Sequence, residues 1–582
     1  MASNQQNDPL SVQLLVNGAS NDAIILKIQV DKRTNNIAQA TIVLNDGSRA
    51  QDDFKLCDST DFNPGNEIEI KAGYHSKEKT IFKGIIMSQT IEIDVEEGPS
   101  LHLKCADKAI KSTIVHQNQL FQSKTDSEII KSILGNYQNA LDVDSTQHTY
   151  DELIQFGSTD WDFVLQRAAL NGMVVTTDDG KTSVKSPAVN GKPVASLTYG
   201  DNIIEMKLSL DSSNQLKTVT SESWDSSNQN IISGNSKEPS VNKQGSISGK
   251  KLADVMNVDE QLQSATSMDK ELLETVSNST LLRSRLSRFQ GTITCEGNAA
   301  IKPNTLIELS GVAKKFNGNV YVSGVSHELE EGRWLMEITV GMTSQFESIE
   351  EKSLINNLTV NGLQIGVVKK VADDPDGEFR VQVHLPLINS NDGIWARLSS
   401  FYASNGSGAF FYPEIDDEVI LGFLDDDASS PIILGSMYSK NRAPALVPDE
   451  QNSHKGIFTR SKMKIDFNEV DKSISIETPG GNKIILDDTQ RSILVTDQNK
   501  NQLIMDPSGV TINSAKDLVL KATNDVSIEG INVSLKASSD LDMTSNNTTS
   551  KANMSYSAQG GASAEIKSSG NLTIKGAMVD IN

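Results

Sequence analysis

The sequence predicts a mainly β protein. It combines β-barrel bodies with some helices, an OB-fold barrel and a C-terminal triple-stranded intertwined β-helix needle shared by a homotrimer. Three observations carry that prediction. Residues 11–120 alternate apolar and polar positions in short bursts punctuated by Gly, Asn and Asp. Residues 360–440 hold five short strand patterns with turn signals between them. Beyond about residue 463, strand–turn units repeat at about ten residues and then tighten to about eight.

The chain has 582 residues, too long for one core at roughly 100–200 residues per domain, so several domains are expected. Asp plus Glu number 76 against 53 Lys plus Arg, a net charge of −23. Phosphate contacts need a basic face, so this balance argues against a nucleic-acid partner. Three cysteines (Cys57, Cys105 and Cys295) do not make a disulfide framework. No apolar run reaches the roughly 20 residues that span a bilayer. The N-terminal residues MASNQQNDPLSVQLLVNG show no basic segment followed by an apolar one, so synthesis in the cytoplasm without a signal peptide is expected.

In the first body the strings ILKIQV, ATIVLN, EIEIKAGY, TIFKGIIM and LHLKC read as strands. A helix is expected in TDSEIIKSILG, where Thr125 stands three residues before Glu128 in capping-box spacing and Gly135 stops the turn. A second is expected from Thr159 to Gly172, laying Trp161, Phe163 and Leu170 on a sheet. Residues 223–250 are rich in Ser, Asn, Gly and Lys and read as a surface linker. One or two helices follow, marked by Leu252, Val255, Leu262, Ala265, Leu272, Val276 and Leu282. Strands return in GTITCEG, TLIELSG, GNVYVSGVSHEL and RWLMEITVG, giving two β-rich bodies with helical and linker material between.

The strings IGVVKKV, FRVQVHLP, WARLSSF, EVILGFL and PIILGSM suit a small closed barrel. DDPDGE reads as a tight turn between its first two strands, helped by Pro375 and Gly377.

In the repeats, apolar pairs fall at Leu518/Leu520, Val526/Ile528, Val533/Leu535 and Leu541/Met543, and again at Leu572/Ile574 and Val579/Ile581. One chain wound at eight residues per turn encloses little core and leaves open strand edges. Three chains about one axis solve both problems, because each strand pairs with other chains and the apolar pairs fill the axis. A homotrimer follows. Residues 455–582 carry 14 basic and 15 acidic side chains, so nearly all of the acid excess lies before them.

On these residues the chain resembles the VgrG-type spike of contractile injection systems, a phage baseplate hub fused to a central tail spike. PGNEIEIKAGY (Pro64, Gly65, Gly73), IFKGII (Phe82, Gly84), DWDFVLQRAALNGM and HELEEGRWLMEITVGM are similar to hub patterns. GVVKKVADDPDGEFRVQVHLP, WARLSSF, GSGAFFYPEIDDEVILGFLDDD and PIILGSMY are similar to the family's OB barrel. The resemblance implies a phage hub-like region over 1–355 with a helical and linker insert at about 223–290. It implies an OB-fold domain over 360–440, a linker over 441–462 and a β-helix needle over 463–582. It also implies partners: two further copies, an Hcp-like inner tube ring protein, baseplate proteins, a PAAR-like tip protein, effector cargo and, on firing, the target membrane. The protein would then be part of a contractile particle and be delivered outside the cell. A type VI secretion system and a free phage-tail-like particle both fit.

Chemistry finds little support. Seven histidines (His75, His102, His116, His148, His327, His384 and His454) show no metal-ligand spacing, and His454 is the last of them. The cysteines lack CxxC spacing. Asp425, Asp426 and Asp427 are read as a solvated turn rather than a cation site. DDPDGE lacks the later bidentate Glu of a calcium loop. No catalytic, cofactor-binding or metal residue is assigned, and no cofactor or enzyme activity is expected. A trimeric tailspike-like polysaccharide-cleaving enzyme would need paired carboxylates, for which only Asp487/Asp488 and Asp540/Asp542 offer themselves. A trimeric surface adhesin would need a secretion signal and an anchor.

Overall fold

Alternation in the first 120 residues becomes strands with one buried face. In Glu67–Tyr74, Ile68, Ile70 and Ala72 point inward, and Leu14, Ile28, Val30, Ile42, Leu101 and Leu103 join them in one core. The computed structural model describes residues 10–47, 53–96, 98–137, 140–343, 360, 362–388 and 392–581. The chain divides into two units, Met1–Pro444 and Ala445–Asn582. The expected hub boundary at residue 355 lies outside the described residues.

The two β-rich bodies of the first unit keep separate cores, the second built on Ile293, Ile307, Val320, Met336 and Ile338. They share one thirteen-stranded sheet, however. The long strand Gly318–Glu330 makes the join. Its first half pairs with Thr305–Ser310 and its second half with Ile25–Arg33. Some 300 residues separate those partners, so no local pattern announces the pairing.

Helix α1 (Asp126–Leu134) carries the full capping box. The Thr125 hydroxyl accepts from the Glu128 amide, and the Glu128 carboxylate accepts from the Thr125 amide at 2.9 Å. Helix α2 (Asp160–Leu170) starts at Thr159, whose hydroxyl accepts from the Asp162 amide at 3.1 Å. Trp161, Phe163 and Leu170 are buried as expected, but so are Asp160, Gln166 and Arg167. The helix is covered all round because its polar residues find partners inside. Arg167 Nε donates to Asp126 at 2.6 Å and Asn171 Nδ2 donates to the same carboxylate at 2.7 Å. Burial alone would pull the Arg167 guanidinium down; the Asp126 carboxylate overcomes this and holds it protonated.

The stretch at 223–290 differs from a helix-and-linker reading. It contains helix α3 (Gly249–Met256) and helix α4 (Lys270–Leu286). A three-stranded sheet of Thr218–Asp225, Asn230–Asn235 and Asp259–Ser264 runs into it. The pairing of the first and last of these strands is parallel and non-local, and Ser and Thr blur their alternation. Helix α4 lies so close that a Cβ at Gly234 would stand 2.4 Å from the Glu274 nitrogen. The Ser277 hydroxyl donates to the Gly234 carbonyl at 2.8 Å.

Five strands close the OB-like barrel: Gln364–Lys370, Val381–His384, Ile394–Leu398, Glu418–Phe423 and Pro431–Met437. Its core holds Val368, Val381, Val383, Ile394, Val419, Leu421 and Ile433. The parallel pairs Arg397↔Ile432 and Leu398↔Ile433 make the closure. At the DDPDGE turn, Asp374 accepts from the Glu378 and Arg380 amides and from the Arg380 guanidinium at 2.6 Å. The Arg380 hydrogen bonds hold the Asp374 carboxyl down at about 2.

His327 is buried, with its Nδ1 accepting from Trp334 Nε1 at 3.3 Å. Burial, then the nearby Lys32 charge, push its pKa down to about 3. The unfolded chain therefore takes up a proton near pH 6.5 that the folded chain refuses until about pH 3. This site weakens the fold as pH falls through that window, by about 1.4 kcal/mol per pH unit. Replacing His327→Asn keeps an acceptor for Trp334 and removes the titration. Calorimetric unfolding of the variant is expected to lose stability less steeply with acid than the parent. Parallel slopes between pH 6.5 and 4 would refute the assignment.

Candidate functional site

The second unit turns the usual logic of a sheet inside out. Seven consecutive antiparallel strands run from His454–Phe458 to Gly509–Asn513. Their registers align two apolar rows on one face. Phe467, Ile474, Leu486, Ile493, Met505 and Val510 form one row. Ile465, Ile476, Ile484, Val495, Leu503 and Ile512 form the other. These rows face solvent: Ile476 is 44% exposed, Ile484 40% and Val495 38%. Their polar neighbours Ser473, Glu477, Lys483 and Asp487 are the half-buried ones. The second row lines a trough of about 590 Å³ that includes Ile476, Ile484, Val495, Leu503, Ile512 and Leu518. An apolar face of this extent marks a contact surface.

From 515 to 581 the described residues form no helix or strand, and every one is exposed. Among them are all the pairs from Leu518/Leu520 to Val579/Ile581. The sheet begins one strand earlier than residue 463, because His454–Phe458 lies inside the span read as linker. Gly456 hides that strand in the sequence, yet it is needed there: a Cβ would meet the Ile465 carbonyl oxygen at 2.5 Å.

The residues weighed for chemistry go elsewhere. Asp487 caps a turn by accepting from the Gln490 amide at 2.7 Å, and Asp540 accepts from the Ser539 hydroxyl at 2.8 Å. His102 meets Glu92 at 3.1 Å, His148 meets Asp269 at 3.0 Å and His454 meets Asp466 at 3.1 Å. Burial pushes the Cys105 thiol up to about 12 and the Cys295 thiol to about 11. Among the described residues no group of three His, Cys, Asp or Glu side chains is placed to hold a metal ion.

The turn Asp425–Asp427 is not the solvated turn the sequence suggests. Asp427 is buried, and it accepts from the Ser429 amide at 2.9 Å. Asp425 accepts from the Ser264 hydroxyl at 3.0 Å and from the Ala265 amide. The turn fastens the barrel to the insert. Other fasteners are the Trp395 amide, donating to Glu152 at 3.1 Å, and the Ile154 amide, donating to the Ser429 hydroxyl at 3.2 Å. None of these pairings leaves a local sequence signal.

Comparison with known proteins bears on this arrangement. The family described as the Alg8 N-terminal domain matches residues 6–331, more than half of the chain. The chain belongs to that family. Residues 364–438, the closed barrel, match the type VI secretion system/phage-baseplate injector OB domain. The type VI secretion system spike protein VgrG3 of Vibrio cholerae is 31% identical over 117 residues, 19% of this chain and 11% of that protein. The actin cross-linking toxin VgrG1 of Vibrio cholerae is 30% identical over 100 residues, 16% of this chain and 9% of that protein. The spike protein VgrG1a of Pseudomonas aeruginosa is 29% identical over 122 residues, 19% of each chain. The chain thus spans about a tenth of the length of the first two relatives. In three dimensions it is similar to the Francisella PdpA–VgrG complex. In the lidded form the TM-score is 0.54 at 10% identity, over 88% of this chain and 81% of that one. In the half-lidded form it is 0.53 at 11% identity, over 87% and 88%. The likeness to VgrG-type spike proteins is therefore one of both sequence and fold.

The exposed rows make a prediction that a single copy does not satisfy. Truncating an exposed residue costs at most about 0.5 kcal/mol, whereas truncating a buried Ile costs about 2–5 kcal/mol. Ile484→Ala is expected to fall in the second range in denaturant unfolding of the purified protein. A cost in the first range would mean that the row stays in water.

Proposed function

We propose that this family member is the spike of a contractile injection system: a structural, non-enzymatic homotrimer. It caps the inner tube and punctures the target envelope when the sheath contracts. The observation that carries the reading is that the two apolar rows are followed along the chain by the pairs of 515–581, which one copy leaves exposed. Winding three copies about a threefold axis turns each strand edge into a ladder and each pair into a core layer. The product is a stiff, thin β-helix needle, a shape that suits piercing.

On this reading residues 1–355 form the hub against the tube ring and baseplate proteins, and 360–440 form the collar. Residues 463–582 form the needle, whose end takes a cone-shaped tip protein, with effectors as cargo. The protein is made in the cytoplasm and leaves the cell only as part of the particle. The names of the spike relatives and the match of the barrel to the injector OB domain support this reading. No helix among the described residues is long and apolar enough to cross a membrane, and a mechanical piercing part needs none.

Light scattering tests the threefold assembly. The expected mass is near three times 63.1 kDa and resists mild detergent. Replacing Val526→Asp and Ile528→Asp together puts unpaired charges from three copies into each axial layer, which is expected to abolish the trimer. A monomeric parent, or a double variant that still trimerises, would sink the reading.

A further inference from the structure

The collar barrel carries an arm that its own fold does not use. Between the barrel strands Ile394–Leu398 and Glu418–Phe423, the chain folds into a hairpin of two-residue strands, Ala403–Ser404 and Ser407–Gly408. Strands this short do not hold themselves up in water. The hairpin is flanked by aromatic side chains that face outward. Phe401 is 90% exposed, Phe410 84%, Phe411 59% and Tyr402 55%, with Phe379 beside them at 78%. Backbone and ring contacts hold these segments together at the hairpin. The rings of Phe410 and Tyr412 lie 5.0 Å apart, the Tyr412 hydroxyl donates to the Phe379 carbonyl at 2.9 Å, and the Ala409 amide donates to the Tyr402 carbonyl at 2.9 Å.

We propose that this aromatic hairpin seats on the collar barrel of a neighbouring copy of the same chain. The inference rests on the threefold reading above and adds a second contact to it. Two properties of the hairpin select a second copy as occupant. The first is area. At about 200 Å² per aromatic side chain, the exposed fractions of the five rings amount to roughly 700 Å². Counted over both faces of the hairpin, that is close to the roughly 800 Å² each partner gives to a stable interface. The second is charge. Residues 399–413 contain no Asp, Glu, Lys or Arg in a chain whose net charge is −23. Copies of so acidic a chain repel one another, so they meet best through an uncharged surface. The barrel is also joined to the repeats by a short stretch, residues 438–453, so copies held together there keep their barrels at high local concentration.

The test places a photo-crosslinking phenylalanine analogue, p-benzoylphenylalanine, at Phe410 in the full-length chain. Isotope-labelled and unlabelled copies are co-expressed, and light scattering is run on the same sample. A threefold mass with cross-linked peptides of mixed isotope, joining the hairpin to barrel residues of another copy, is the expected result. Adding Phe401→Ser is expected to lower those mixed cross-links at least tenfold while the mass stays threefold. A threefold mass with cross-links confined to one copy overturns the hairpin proposal and leaves the trimer standing. Cross-links to a tube, tip or cargo protein in assembled particles, with none between copies, overturn it in favour of that partner. A monomer mass overturns the threefold reading and this inference with it.

Discussion

Residues 515–581 impose a constraint that one chain does not meet. Ordering a residue costs about 1–2 kcal/mol of backbone entropy, which folding offsets by burial and hydrogen bonding. Here a single copy offers no burial and no strand ladder: every described side chain is exposed. Yet the sequence spends an apolar pair on almost every repeat. The regular spacing is what the proposed threefold assembly would use, because an identical chain with the same period would match it layer for layer. The seven-stranded sheet is the transition into that regime. It makes its own ladder within one copy, but it still shows its apolar rows to the outside.

The first unit solves the opposite problem. It has enough surface to bury several cores, and it also buries charges. Lys32, almost wholly enclosed, sits 2.6 Å from Asp178 and 2.7 Å from Asp179, while Lys302 meets the same carboxylates at 2.5 Å and 2.9 Å. Desolvation works against Asp178, but the two ammonium groups win and hold its carboxyl below its ordinary value. Buried pairs of this kind add little net stability, but breaking one is expensive. They act here as locators, tying the turn at Asp178–Asp179 to the strand Ile25–Arg33 and to the loop before Thr305.

This difference explains what could be read from the chain beforehand. Local signals were legible where local physics decides. The capping box at Thr125 and Glu128, the start of α2 at Thr159 and the five barrel strands all lie where short-range pattern puts them. The ten-residue repeat was legible too, because each unit became one strand of the seven-stranded sheet. What escaped were contacts between segments far apart in the chain. The strand Gly318–Glu330 joins two bodies through a partner near residue 30, and the strands within 218–264 hide behind Ser and Thr. The Asp425–Asp427 turn looked solvated because the residues that cover it, Ser264 and Ala265, come 160 positions earlier. The aromatic run FYASNGSGAFFYP does not by itself say where its rings point, and only the barrel around it shows that Phe401, Phe410 and Phe411 face away from the core while Tyr412 packs against it.

The way the barrel is held also bears on how force would pass along such a spike. Its anchors to the rest of the first unit are both polar and apolar and come from two elements: the strand Thr149–Thr159, where Glu152 accepts a hydrogen bond and Ile154 packs into the barrel core, and the insert, where Ser264 and Ala265 donate to Asp425. An apolar seam alone can slide, because dispersion and burial are non-directional. Hydrogen bonds to a carboxylate fix angle as well as distance. A part that transmits an axial push needs that directional fixing at its joints and needs uniform packing along its shaft. On the proposed reading, the hydrogen-bonded joints of the first unit would meet the first requirement and the repeating apolar pairs of the second unit the other.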